Sequence, residues 1–221
     1  MARSDHILRP GQQRNHTDPA FFANGLKVGE RPLARRGNHR REHRDRIEVV
    51  GMYLMTPRLI IRTLELKDVE PLCRMWSDPN VTQFMGGPRE YDRLVKTFTE
   101  IAHEEPQPVY DLWSVLEQTS MDIIGQCGIY EKEIDGALEH ELIYLFAKSA
   151  WGHGYATEAA CAVREYAFCE LALMRIISLI KSENLPSIHV AEKTGFHFEK
   201  EIIRSDDSIK QLFAMTNSKP S

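Results

Sequence analysis

The chain has 221 residues, 42% hydrophobic and 27% charged, with a formal net charge of −4. Such proportions are those of a globular protein with enough chain for one large core, and they exclude a low-complexity or collagen-like chain. No apolar stretch reaches the length of a membrane-spanning helix.

The charge is uneven. Residues 1–50 hold 11 Lys and Arg against 6 Asp and Glu, leaving 17 against 26 for the remainder. The chain thus reads as a basic extension, 1–51, on an acidic body, 52–221. Cys73, Cys127, Cys161 and Cys169 lie far apart with no CxxC pair, which points to free thiols in a reducing compartment. The first residues, Met-Ala-Arg-Ser-Asp-His, lack a signal-peptide core, so the cytoplasm is the expected location.

The extension has no sustained helical or strand period. Its densest run, residues 35–44, is rich in Arg and would neutralise phosphates as a nucleic-acid arm. It lacks interleaved aromatics for stacking, so a disordered segment, or a start at Met52 or Met55, is the preferred reading. His39 and His43 stand four apart, but the surrounding arginines would repel a metal cation.

The body opens with a strand over 56–64. Val69, Leu72, Cys73 and Trp76 fall at helical spacing, and Asp78-Pro79-Asn80 ends that helix. Gly86-Gly87-Pro88 is a turn, and a charged amphipathic helix follows from about 89 to 104, its apolar face Leu94, Phe98 and Ile101. Three strands come next, over 110–116, 123–130 and 139–146, with a turn near Asp135-Gly136. Their short connections suit an antiparallel meander. In the third, Glu141, Ile143 and Leu145 alternate against Leu142, Tyr144 and Phe146.

Then the period changes. Ala156, Ala159, Ala160, Val163 and Ala167 form one helix face of small residues, which lets an axis lie close to a sheet. Residues 174–180 read as a buried strand and 185–193 as a helix with Gly195 at its end. Residues 196–202 and 209–215 form a closing hairpin. The order β-α-α-β-β-β-α-β-α-β-β predicts a single α+β domain.

Gly152 and Gly154 fall between a strand and a helix. Helix N-termini present unpaired N–H groups and partial positive charge, and glycines there let amides crowd a phosphate. The turn lacks the Lys-Ser/Thr of a P-loop and the third glycine of a dinucleotide fingerprint, and the strand before it closes a meander instead of opening a βαβ unit. On spacing alone, a plain strand-to-helix turn is an equal reading.

Trp151-Gly152-His153-Gly154-Tyr155-Ala156-Thr157-Glu158-Ala159 resembles the acyl-CoA loop of the GNAT acetyltransferases, in particular the branch of the ribosomal-protein N-terminal acetyltransferases. Residues 56–62 resemble that branch's opening strand, and 141–145 its central strand. Residues 183–187 and 192–196 resemble its asparagine helix and the turn after it. The resemblance runs over 56–216. It implies a three-layer α/β/α fold with a mixed, mostly antiparallel sheet splayed at its centre. It also implies acetyl-CoA as co-substrate with no metal, and a primary amine as acceptor. Dimers are common among relatives, so a homodimer is a further possibility.

By this resemblance, pantetheine lies along Tyr144, Leu145 and Phe146 like an added strand. The pyrophosphate sits on the amides of the loop from Trp151 and Gly152 through His153, Gly154 and Tyr155 to Ala156 and Thr157. Asn184 bonds the pantetheine arm.

The reaction requires a neutral amine. An α-amino group, pKa near ~7.7–8.0, is about a tenth neutral at pH 7, whereas a lysine amine near ~10.4 is below about a thousandth. Glu141, a carboxylate in a strand that otherwise reads as core, is the candidate base through water, with a strand-edge or ion-paired Glu the equal alternative. His140 points to the opposite face.

Phe213 stands where this branch often has a Tyr that protonates the leaving thiolate. Ser187, one helical turn after Asn184, is the candidate substitute, unless its hydroxyl merely caps the helix. Ser149 replaces the usual Gln or Arg of the phosphate motif. These departures leave two function classes open: an N-acetyltransferase, and a CoA-binding sensor or interaction module that has lost turnover. The acceptor is unreadable, since residues 76–106 and 203–210 carry no recognisable code.

Overall fold

The computed structural model describes residues 27–28, 52–104, 109–203 and 209–217. The arginine-rich run at 35–44 and most of the 203–210 loop lie outside the described residues. Among the described residues nine strands form one sheet, in chain order β1 (Lys27–Val28), β2 (Tyr53–Met55), β3 (Leu59–Arg62), β4 (Leu112–Glu117), β5 (Ile123–Ile134), β6 (Ala137–Phe146), β7 (Arg175–Ile180), β8 (His197–Ile203) and β9 (Ile209–Thr216). Their order across the sheet is β1-β2-β3-β4-β5-β6-β7-β9-β8. The helices are α1 (Val69–Ser77), α2 (Pro79–Thr82), α3 (Tyr91–Ala102), α4 (Tyr155–Cys169) and α5 (Leu185–Lys193).

The body's opening strand is in fact a hairpin. Pro57 cannot donate to a ladder, and the Thr56 N–H turns back onto the Leu59 carbonyl at 2.9 Å. β2 therefore folds antiparallel onto β3, with Leu54 opposite Ile61. β1 lies inside the extension read as structureless and pairs with β2, Val28 opposite Leu54. Asp78 also does more than stop α1. Its carboxylate accepts the Asn80 N–H at 2.8 Å, and Pro79 opens α2 one residue later.

β5 and β6 run longer than their apolar cores suggest. Asp135 and Gly136 take φ of 51° and 80°, the two left-handed residues of a tight hairpin turn that continues the strands' twist. The ladder then runs unbroken from Ile134↔Ala137 to Gly125↔Phe146.

Apolar side chains pack on both faces of the sheet. On one face, Leu72, Cys73 and Trp76 of α1 and Phe98 of α3 pack with Leu112 and Leu145. On the other, Ala159, Ala160, Val163 and Ala167 of α4 lie on Trp113, Val115, Leu142 and Phe146. The alanine stripe explains this second contact, since side chains of one carbon bring the helix axis close to the strands. Alternation along β6 holds as read: Ile143 and Leu145 join the α1–α3 face, and Leu142, Tyr144 and Phe146 the α4 face.

One topological reading is corrected. β6 and β7 are parallel and α4 joins them, so the glycine turn does sit in a βαβ unit. The meander of β4, β5 and β6 hid this, because nothing local shows where β7 enters the sheet.

Candidate active site

β6 and β7 share a single bridge, Glu141↔Ile177. Every other neighbouring pair of strands holds two or more register partners. Before the bridge, Arg175 still reaches Glu139 at 3.2 Å. After it the two strands diverge toward their C-terminal ends.

Strand geometry says which groups face this gap. The Ala147 N–H donates to Ile124 at 2.9 Å, so by alternation Leu145 and Ile143 turn their backbone groups to β5. Leu142, Tyr144 and Phe146 turn theirs to β7. The Phe146 carbonyl accepts the Trp151 indole N–H at 2.8 Å. Of the strand residues expected to hold pantetheine, Tyr144 offers both backbone groups and Phe146 its N–H, while the backbone of Leu145 is directed at β5. The gap is therefore a sheet edge inside a sheet, the arrangement that takes up an extended amide-bearing chain.

The glycine loop stands at the open end of this gap. Gly152 and Gly154 both have φ of 78°, a left-handed conformation that a side chain resists. Gly154 is the residue before α4, and no side chain caps the helix. The amides of Tyr155, Ala156 and Thr157 thus lack intrahelical acceptors. A Cβ on Gly152 would meet nothing within 4 Å. Room, free donors and the positive helix end coincide there, which fits a phosphate group. His153 stacks on Tyr155 with ring centroids 5.7 Å apart.

Arg58 and Glu158 meet beside the glycine loop, a pair that motif reading passed over. Arg58 donates to the His153 carbonyl at 2.9 Å and lies 4.6 Å over the Tyr155 ring. It also donates to Glu158 at 2.7 Å, and the Thr56 hydroxyl donates to the same carboxylate at 2.6 Å. Burial pushes the Glu158 carboxyl up, but the hydrogen bonds from Thr56 and Arg58 together hold it below its ordinary range. These contacts pin the loop to the β2–β3 turn and neutralise an acid that would repel phosphate. The signal was present, since both residues lie inside motifs already singled out, but only the fold pairs residues 100 positions apart.

Glu141 is 4% exposed and stands at the bridge where the gap begins. Lys132 binds its Oε2 at 2.9 Å. His140 lies on the other face, its ring 4.9 Å from Tyr110.

Asn184 caps α5 by accepting the Ser187 N–H at 3.3 Å, so the cap role weighed for Ser187 belongs to Asn184. The amide NH2 of Asn184 still offers donors. The Tyr144 hydroxyl donates to the Ser187 carbonyl at 3.0 Å, and burial raises that phenol's pKa. Phe213 is 3% exposed and packs edge-to-face on Phe198 at 6.0 Å. Ser149 lines a cavity of about 280 Å³ with Arg74, Asp78 and Lys148.

The family model described as "Acetyltransferase (GNAT) domain" matches residues 58–197. The chain is 33% identical over 150 residues to YkkB of Bacillus subtilis, covering 67% of this chain and 87% of YkkB. It is 31% identical over 156 residues to the N-acetyltransferase p20 of Bacillus licheniformis, covering 66% and 83%. Among solved structures, it resembles a GNAT-family acetyltransferase from Bacillus anthracis with a TM-score of 0.64 and 25% identity, covering 75% of this chain and 98% of that one. The chain belongs to the GNAT acetyltransferase family and is an N-acetyltransferase. Members of this family transfer an acetyl group from acetyl-CoA to an amine. Among the described residues, no helix is long and apolar enough to cross a membrane, and no cluster of three His, Cys, Asp or Glu is arranged to hold a metal.

Proposed function

We propose that the chain acetylates a primary amine, a protein N-terminus or a small amine, by direct attack on acetyl-CoA within a ternary complex. The coincidence of the one-bridge splay with the uncapped α4 terminus carries this reading. Pantetheine extends along Tyr144 and Phe146, and the pyrophosphate rests on the amides of Gly152 to Thr157. The thioester then reaches the apex beside Glu141. Asn184 donates to the pantetheine arm.

The acceptor approaches on the α1–α3 face, which Glu141 shares. Glu141 receives the amine there through water, its carboxylate held in place by Lys132. As the C–N bond forms and the C–S bond breaks, the thiolate takes a proton from Ser187, which recovers one from solvent. Tyr144 fixes the Ser187 backbone. Phe213 is packed in the hydrophobic core on the α4 face and has no proton to give, so the donor role falls to Ser187 in this reading.

Calorimetric titration of the full chain with acetyl-CoA, followed by thiol release over a panel of amines, tests this. Binding with turnover is expected. No binding at millimolar acetyl-CoA would overturn the reading of the loop. Binding without turnover on any amine would favour the sensor.

A further inference from the structure

The ion pair at the head of the gap is not the one that strand register would choose. Glu139 stands directly opposite Lys132 across the β5–β6 ladder. Arg175 of β7 holds Glu139, however, its Nε 3.2 Å from both carboxylate oxygens. Lys132 reaches diagonally to Glu141 instead, with Nζ 2.9 Å from Oε2. Lys132, Glu139 and Glu141 share a face, as opposite residues and residues two apart on a strand do. Tyr130, directly opposite Glu141, gives its hydroxyl to Asp111 at 3.2 Å. Among the described residues, Lys132 alone therefore donates to the Glu141 carboxylate, and Lys132 donates to no other group. An ammonium carries three N–H donors, so two stay available beside the acid.

The two partners differ in access. The Lys132 side chain is 29% exposed and the Glu141 side chain 6%. A molecule that comes to Glu141 from solvent on this face meets the Lys132 ammonium first, so Lys132 sets the charge that is admitted.

We propose that Lys132 selects the acceptor, and that the acceptor is a free α-amino acid, its amine placed at Glu141 and its carboxylate on Lys132. The proposal rests on the placement of the thioester beside Glu141. The amine and carboxylate of an amino acid hang from one carbon, and the acid and ammonium of the ion pair lie 2.9 Å apart, so each charge can meet its complement at once. The ammonium–carboxylate contact is a charge-assisted hydrogen bond. A peptide N-terminus has a neutral carbonyl in that place and gains less. A polyamine brings a further ammonium, which Lys132 repels. Lys132 also helps to free the nucleophile. The carboxylate of an amino acid favours the charged form of its own amine, and pairing it with Lys132 offsets that pull toward the ammonium.

The test is thiol release from acetyl-CoA by the full chain over the common α-amino acids, each beside its α-amide, with spermine and a serine-terminated peptide added. Wild type should acetylate at least one amino acid with kcat/KM about 10- to 100-fold above that of its amide, of spermine and of the peptide. Lys132→Met keeps the length of the side chain and removes the charge. It should bring the acid-to-amide ratio to about one, chiefly by raising the amino acid KM, with the acetyl-CoA Kd unchanged. Lys132→Arg should keep the preference. Amides, spermine or the peptide turned over by wild type as well as the acids would overturn the proposal, and that comparison decides alone if Lys132→Met fails to fold. A preference that survives in Lys132→Met would also overturn it, since a merely structural Lys132 would lower acid and amide alike. Acetyl-CoA binding without turnover of any amine would instead overturn the transfer reading on which the proposal stands.

Discussion

Single residues carry the strongest pH signature. The Asp111 carboxyl titrates at about 6 in the fold, above its ordinary 3.8. Between these values the folded chain holds a proton that the unfolded chain has lost, so this group's contribution to stability falls as pH rises from about 4 to about 6. Above that window the buried charge costs about 3 kcal/mol, an upper figure for a site that relaxes. Asp111→Asn keeps an acceptor for Leu112 and Tyr130 while removing the charge. We expect it to melt several degrees higher than wild type at pH 8 and to lose that advantage at pH 4.5. A lower melting point than wild type at pH 8 would show that the charged carboxylate is a net stabiliser. Ser187→Ala makes a separate kinetic prediction, a fall in kcat of about tenfold or more with the acetyl-CoA KM unchanged. If kcat holds, and Tyr144→Phe lowers it instead, the phenol is the proton donor.

At the scale of elements, glycine positions set both ends of the site. Gly154 takes a left-handed conformation that costs another residue about 1–2 kcal/mol. Gly154→Ala should therefore lower the melting point by a few degrees and weaken acetyl-CoA at least tenfold by calorimetry, since the loop would turn its amides away. An unchanged Kd would show that the loop does not hold the phosphates. Gly128 acts differently. A Cβ there would fall 1.8 Å from the Asp111 carbonyl oxygen, a backbone atom that cannot step aside. Gly128→Ala should cost more than about 4 kcal/mol in urea unfolding, or leave the chain insoluble. A loss within about 1 kcal/mol would show that β4 and β5 are farther apart at this row.

The elements also differ in how legible they were. α5 matches its reading over 185–193, because apolar spacing, Asn184 before it and Gly195 after it agree. The opening strand does not, because Pro57 lets a chain turn as readily as it ends a ladder. The β5–β6 hairpin outruns its apolar segments because a two-residue left-handed turn, not hydrophobicity, sets its length.

Across the whole molecule, local pattern and long-range assembly contributed different things. The order of strands and helices, the burial alternation of β6 and the glycine turn all follow from spacing within windows of a few residues, where sterics and hydrophobic period act. The family resemblance rests on motifs of that same length. The sequence by itself thus determined the elements from β4 onward and where the glycine turn falls between β6 and α4. Only the tertiary structure decided that β7 enters parallel beside β6 and leaves it after one bridge. It also decided that Arg58 meets Glu158, Lys132 meets Glu141, and Tyr130 meets Asp111. Those pairings lie up to 100 positions apart or depend on which strand edges meet. They arise because burying two faces of one sheet leaves few ways to order its strands, a constraint that exists only once the core has closed.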